Sequence, residues 1–370
     1  MKMNVPLLDL KAQFAAIEAD VRREIDEVLA SQHFILGPKV EALEAQVASY
    51  TRTRHAIGVS SGTDAILIAL MALGIGPGDE VVTTPYTFFA TAGCIARLGA
   101  RPVFVDIDGA TMNMELGQVA RAISGRTKAV MPVHLFGRCV DMRALHALTE
   151  PRGIPIIEDA AQALGAESHG IRAGGQGAIG CFSFFPSKNL GAAGDAGVVT
   201  TNDDKLAARL RILRGHGAAP KYFHATVGGN FRLDALQAAV LLAKFPHLDR
   251  WTDRRAENAT LYRQLLGDVA GLRTPPAAEA GDRHVWNQFV VRTARRDALA
   301  GHLKTQGVQT EVYYPRPMHM QECFASLGHE AGDFPVAEAC ASDSLALPIA
   351  PEISPAAIAY VAEQVKAFYV

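Results

Sequence analysis

The chain has 370 residues, 49% of them hydrophobic and 20% charged, which is ample for a packed core and points to two domains. Its formal net charge of −2 and the lack of a basic tail give no reason to expect nucleic acid as a partner. The longest apolar run, AILIALMALGI, is too short to span a membrane, and the polar start MKMNVPLLDLKAQ does not read as a signal peptide.

Taken in order, the first informative segment is VSSGTDAILIALMALGIGPGDEV. Apolar residues recur at Ile66, Leu67, Leu70, Met71 and Leu73, the spacing of a helix buried along one face. Gly62 and Thr63 therefore stand at a helix N-terminus. Free backbone N–H groups and the helix dipole make that a place for phosphate, and glycine allows close backbone approach. From about residue 55 to about residue 200, apolar strands alternate with helices. The strand candidates are EVVTTPY, RPVFVDID, TKAVMPVHLFG, IPIIED, GCFSFF and AGVVTTND. They show little polar alternation, as expected of a mostly parallel sheet buried on both faces. Ligands in such folds sit at the carboxyl ends of the strands, where Phe88, Asp159 and Lys188 fall.

Lys188, in FSFFPSKNLGAAGDAG, follows an apolar run and precedes a glycine-rich turn, and Asp159 ends the run IPIIED. An amine and a carboxylate on strand-end loops are what a pyridoxal phosphate enzyme needs. The amine forms the Schiff base, and the carboxylate pairs with the pyridinium nitrogen so that the ring accepts electrons. Burial beside Phe182, Phe184 and Phe185 is expected to lower the lysine pKa and make it a usable base.

Further on, FRLDALQAAVLLAKFPHLDRWTDRRAENATLYRQLLGDV is helical in period, with Pro246 as a break. The domain boundary is placed there. HVWNQFVVRT then reads as a strand, RRDALAGHLKTQGV as a helix, TEVYYP as extended and ISPAAIAYVAEQVKAF as a final helix. Pro275, Pro276 and Gly281 mark a loop. The five cysteines lack C-x-x-C spacing and read as thiols of a reducing cytoplasm.

The motifs VPLLDLKAQF, FILGPKVEALE, SGTDA, PYTFFATA, VFVDID, PVHLFG, EDAAQA, FSFFPSKNLGAAGD, RGHG, GGNFRLDALQAAVL and YYPRPMHMQ run nearly end to end. Together they resemble the DegT/DnrJ/EryC1/StrS family of sugar aminotransferases, on the fold of aspartate aminotransferase. Ala196 departs from the glycine usual after the aspartate of the GD pair. The resemblance implies an α/β fold with a mostly parallel seven-stranded central sheet and a smaller α+β C-terminal domain. The large cofactor domain is expected over 14–248, and the small one over 249–370 together with 1–13.

The resemblance also implies pyridoxal 5'-phosphate as cofactor, with pyridoxamine phosphate as intermediate. It gives Lys188 and Asp159 the catalytic roles, and Gln162 a contact to the phenolic oxygen of the cofactor. Phe88 is the expected stacking ring, with Tyr86 or Phe89 as alternatives. Ser183, Gly62 and Thr63 are expected to hold the phosphate. Asn230 is carried over as a phosphate ligand in a homodimer with shared sites. Arg232, His216, Tyr314 and His319 are substrate candidates, and His134 a candidate for the pocket wall. A basic cluster of Arg211, Arg214, His216, Lys221 and Arg232 could meet a diphosphate. The implied reaction moves an amino group from an amino-acid donor, glutamate, to a nucleotide-linked keto sugar. The FPSKNLG motif resembles the branch acting at C3. A 4-keto sugar, or a regulator that retained the fold, is the alternative.

Overall fold

The computed structural model describes residues 2–370. Nine strands lie in its first part: β1 (His55–Val59), β2 (Glu80–Thr83), β3 (Arg101–Phe104), β4 (Thr127–Val130), β5 (Ile157–Asp159), β6 (Glu167–Ser168), β7 (Ile171–Arg172), β8 (Ile179–Ser183) and β9 (Gly197–Thr201). Four of them pair in the order β1-β9-β8-β5 and three in the order β3-β2-β4. Parallel bridges Val130–Ile156 and Val133–Asp159 join the two groups into one layer of seven. β9 is antiparallel to both neighbours, and the remaining pairings are parallel. β6 and β7 form a separate short hairpin.

Strand residues point alternately to the two faces, and both faces are covered. Ile57, Val59, Cys181 and Val199 join one apolar cluster with the helix Gly62–Ala72 and residues of the helix Asp204–Arg214. Their neighbours Ala56, Phe182 and Val198 join the opposite cluster with the helices Pro38–Thr51 and Ala235–Lys244. The absence of polar alternation in the sequence has this cause. β1 is not among the predicted strands; its small residues Ala56 and Gly58 lack a strong strand signature, and its place comes from pairing with β9. The helix Gly62–Ala72 also differs from expectation. Ala65 through Leu70 are all buried, so it is enclosed on every side rather than along one face. Ala196 is buried within the second cluster, so the methyl group is accommodated there.

The helical stretch after residue 230 breaks where proline predicts. A helix Ala235–Lys244 ends, a 3₁₀ turn Phe245–His247 contains Pro246, and a helix Leu248–Leu266 follows. Beyond it β10 (Phe289–Arg292) pairs antiparallel with β11 (Ser344–Leu347). The helices Arg296–Thr305 and Pro355–Tyr369 pack on this pair in a cluster that also takes in Val5. TEVYYP forms no strand and touches β11 through a single bridge, Glu311–Ala346. A further cluster joins Tyr86, Phe104 and Val133 to Val290, Met318, Phe334 and Ala346, so early and late parts of the chain share a core. No described helix is long and apolar enough to cross a membrane.

The end of β5 is held by a buried polar network. Glu158 is fully buried. Its carboxylate accepts from the backbone N–H groups of Gly174 (2.8 Å), Gln176 (2.9 Å) and Gly177 (2.5 Å). His134 Nδ1 accepts from Val140 N at 3.2 Å, so Nε2 carries the proton and donates to Glu158 at 3.1 Å. His134 is therefore a structural tie and not the pocket-wall residue considered from sequence. Glu158→Ala would strand these donors, and should cost on the order of 3 kcal/mol or more in urea unfolding. Glu158→Gln should cost less, because one amide oxygen still accepts; wild-type stability in the alanine variant would refute this anchoring role.

Candidate active site

A cavity of about 430 Å³ opens where β5 and β8 end and the helix Gly62–Ala72 begins. Gly62, Thr63, Phe88, Asp159, Gln162, Ser183, Lys188 and Tyr314, all proposed from the sequence, line it. This is the carboxyl edge of the sheet, where strand ends leave room between loops.

Lys188 lies on a loop fastened at several points. Phe184 N donates to Ala196 O and Ala192 N to Phe184 O, both at 2.8 Å, and Lys188 N donates to Phe185 O at 2.9 Å. Asn189 Nδ2 donates to Val285 O at 2.7 Å, and buried Lys244 Nζ donates to Gly191 O at 2.7 Å. Burial pulls the Lys188 ammonium down from the ordinary 10.5 to about 8, and the charge of Asp159 opposes the shift. A minor but usable fraction of the amine is thus neutral near physiological pH, where an ordinary lysine is almost wholly charged.

Asp159 is the last residue of β5 and is buried. Burial raises its pKa, while a hydrogen bond from Thr91, one from the Ala161 N–H, and the charge of Lys188 work in the other direction. The Thr91 hydroxyl donates to Asp159 Oδ2 at 2.7 Å. The sequence reading missed Thr91, because a threonine in a helical segment carries no signal of what it faces.

At the opposite wall Ser61 caps the helix Gly62–Ala72, its hydroxyl accepting from Asp64 N at 3.0 Å. The N–H groups of Gly62 and Thr63 open that helix without helical acceptors. A Cβ on Gly62 would come within 2.6 Å of Ser183 Cβ and 3.0 Å of Ser183 Oγ. Only glycine lets the helix start and the serine close on one point. This cradle, with a buried carboxylate and a neutralisable amine across the same cavity, fits pyridoxal phosphate in all three of its reactive parts.

Gln162 Oε1 accepts from Phe136 N at 2.6 Å, and its Nε2 donates to the Tyr314 hydroxyl at 3.2 Å. Tyr314, whose pKa burial raises, is thereby fixed against the cavity. Among the three candidate stacking rings, Phe88 lines the cavity, with its centroid 6.1 Å from that of Tyr314. Tyr86 is fully buried and bonds Tyr313 O at 2.6 Å, and Phe89 turns to Phe324. Thr87, Ser187, Asp195, Gln288 and Tyr313 also line the cavity and were not singled out from sequence.

Besides His134, four sequence candidates lie outside this cavity. His319 is buried, its Nε2 3.0 Å from Glu338 Oε1 and its ring packed on Phe334, so it serves the core. Burial lowers its pKa against the pull of Glu338. His216 is exposed in a left-handed turn, φ 63°. Asn230 is exposed and bridges Gly215, while half-buried Arg232 bridges Val59. Of the basic cluster, Arg214 is already committed to Glu44 at 2.5 Å and to Gly58 O at 3.1 Å, so it is not free for a diphosphate.

The Lys188 environment has a measurable sign in cofactor-free protein. Below pH 8 the lysine is charged in both folded and unfolded chains, and the burial cost is fully present. Between about pH 8 and the ordinary value of 10.5, the unfolded chain binds the proton that the folded chain has lost, so stability rises with pH. Denaturant titrations should show wild type gaining on Lys188→Met across that window. A constant difference between the two would refute the lowered pKa.

Comparison with known proteins agrees with the geometry. Residues 15–366 match the DegT/DnrJ/EryC1/StrS aminotransferase family. The chain is 50% identical to a protein named pleiotropic regulatory protein from Geobacillus stearothermophilus, over 99% of both chains. It is 45% identical to the UDP-N-acetyl-3-dehydro-alpha-D-glucosamine 3-aminotransferase of Acidithiobacillus ferrooxidans, over 98% of this chain and 97% of that one. Its structure superposes on S. venezuelae DesV, solved in complex with a ketimine intermediate, with a TM-score of 0.96 and 42% identity, covering 99% of this chain and 98% of that chain. With the lysine, the carboxylate and the glycine–serine cradle in one cavity, the chain belongs to the DegT/DnrJ/EryC1/StrS aminotransferase family.

Proposed function

We propose that this aminotransferase moves an amino group from an amino-acid donor, glutamate, to C3 of a nucleotide-linked 3-keto sugar, with pyridoxal 5'-phosphate as its cofactor and pyridoxamine phosphate as the amine-carrying form. The observation that carries the reading is the convergence of Lys188, Asp159 and the Gly62–Ser183 cradle on one cavity. The C3 assignment draws on the 3-aminotransferase relative and on the FPSKNLG motif. The relative named as a regulatory protein suggests a second reading, but a regulator has no need of a lysine with lowered pKa facing a buried carboxylate.

In this reading the Gly62 and Thr63 N–H groups and the Ser183 hydroxyl would hold the phosphate, Asp159 would partner the pyridine nitrogen, Phe88 would cover the ring, and Lys188 would be the point of attachment for the aldehyde. When bound, the cofactor supplies an electron-accepting ring that makes the donor Cα–H acidic. Lys188 Nζ would take that proton and hand it on within the first half-reaction, and in the second would deliver a proton to C3 of the sugar. The Asp159 carboxylate would hold the ring nitrogen protonated through a charge-assisted hydrogen bond. Asp195 and Gln288 stand where sugar hydroxyls can reach a polar partner. Exposed Asn230 would serve the cavity of a second subunit in a homodimer. The free cysteines, four of them buried, accord with the cytoplasm.

Borohydride reduction should fix the cofactor to Lys188, as read by peptide mass mapping. Lys188→Ala should still bind the cofactor non-covalently but lose turnover by at least ~10²–10⁴, the worth of a positioned acid–base group. Attachment at another lysine would overturn the assignment. A panel of dTDP-, UDP- and GDP-linked keto sugars with glutamate should yield product aminated at C3 by NMR. Amination at C4, or turnover of 2-keto acids with none of nucleotide sugars, would refute the substrate class.

A further inference from the structure

Two threonines stand behind the Asp159 carboxylate. Thr87 and Thr91 are four residues apart, before and within the first turn of the helix Phe89–Arg97. Their hydroxyl oxygens are 2.9 Å apart, and Thr91 Oγ1 is 2.7 Å from Asp159 Oδ2. Thr87 is 1% exposed, Thr91 0% and Asp159 4%, so no bulk water competes for these bonds.

The direction of the chain follows from counting protons. An ionised carboxylate only accepts, and a threonine hydroxyl has one proton. Thr91 therefore gives its proton to Asp159, and Thr87 must give its own to Thr91. Oδ2 is thereby engaged, while Oδ1 has only Ala161 N at 3.3 Å and keeps lone pairs for the cavity. The start of the Phe89–Arg97 helix adds the favourable end of its dipole.

We propose that Thr91, backed by Thr87, is a positioning residue that keeps the buried Asp159 carboxylate ionised and turns its free oxygen toward the cofactor ring. The proposal rests on the reading that Asp159 partners the ring nitrogen. It explains how a buried carboxylate resists neutralisation before cofactor binds. A neutral carboxyl would hold the ring nitrogen less strongly. The other groups facing Asp159 are Lys188, whose charge favours its own, His134, held as a neutral imidazole between Val140 N and Glu158, and Cys94, Cys181 and Tyr314, whose own ionisation burial suppresses.

The test uses cofactor-free protein labelled with ¹³C-carboxyl aspartate. Infrared titration, as the difference from Asp159→Asn, reads the protonation of this one group. In Thr91→Val the midpoint should move up by about 1–2 pH units, the worth of one hydrogen bond to a charged group. Thr91→Ser should restore the wild-type midpoint, and Thr87→Val should give a smaller upward shift. Equilibrium dialysis should show pyridoxamine phosphate held about 10-fold less tightly by Thr91→Val. If the valine variant does not fold, Thr91→Ala carries the same readings. A folded variant lacking the Thr91 hydroxyl that titrates as wild type, while Asp159→Asn loses the ligand, overturns the positioning role and leaves the proposed function standing. Should Asp159→Asn hold pyridoxamine phosphate as tightly as wild type, the role of Asp159 fails and the proposal fails with it.

Discussion

Two adjacent carboxylates at the end of β5 carry the organisation of this site. A strand sends successive side chains to opposite faces. Glu158 goes inward to three backbone N–H groups and His134, and Asp159 goes to the cavity and Thr91. The first ties the strand end to the loop of residues 174–177 and to residue 134. That tie leaves little freedom for the second. A buried carboxylate is costly unless its hydrogen bonds are made. Here each of the pair has its own donors, so the cost is met separately on the two faces.

The cavity around Asp159 is shaped by contacts that cross long stretches of chain. Asn189, one residue after Lys188, donates to Val285 O, and Asn287 donates back to Asn189 Oδ1 at 2.8 Å. Gln162 joins Phe136 N to Tyr314. Tyr86 reaches Tyr313 O and Ser344. These bonds link the strand-end loops of the central sheet to the segments around β10 and β11. Buried hydrogen bonds of this kind orient more than they stabilise, since their partners in water are lost on folding. In the proposed function a base and a carboxylate meet the same ring, which needs that orientation.

The glycine cradle works by a different constraint. Gly62 is not in a left-handed conformation; it is required because Ser183 lies where a side chain would be. Gly197 shows the same requirement, since a Cβ there would meet Ser61 O at 2.5 Å. The enclosed helix Gly62–Ala72 cannot shift to relieve either contact, because its residues from Ala65 to Leu70 are packed on all sides. Close packing therefore sets the geometry of the helix start that the proposed function uses to hold a phosphate, which the helix dipole alone would leave loose.

Much of this was legible in the chain itself. Apolar runs without polar alternation gave away a doubly covered sheet, and proline at 246 gave away a helix break. Lys188 and Asp159 could be named from an amine and a carboxylate at strand ends, and Gly62 and Thr63 from a helix N-terminus, while Ser183, Phe88, Gln162 and Tyr314 took their roles from the family resemblance; all eight line the cavity. The histidines could not be sorted. His134 and His319 carry the same chemistry as a ligand-binding histidine, and only packing against Glu158 and Glu338 assigned them to the interior. Thr91 and the pairing of β1 with β9 were also invisible, because each depends on a neighbour remote in sequence. Local pattern determined which groups stand at strand ends. Tertiary structure alone decided which of them share a cavity, since the free energy of a buried polar group depends on the partner that folding places beside it.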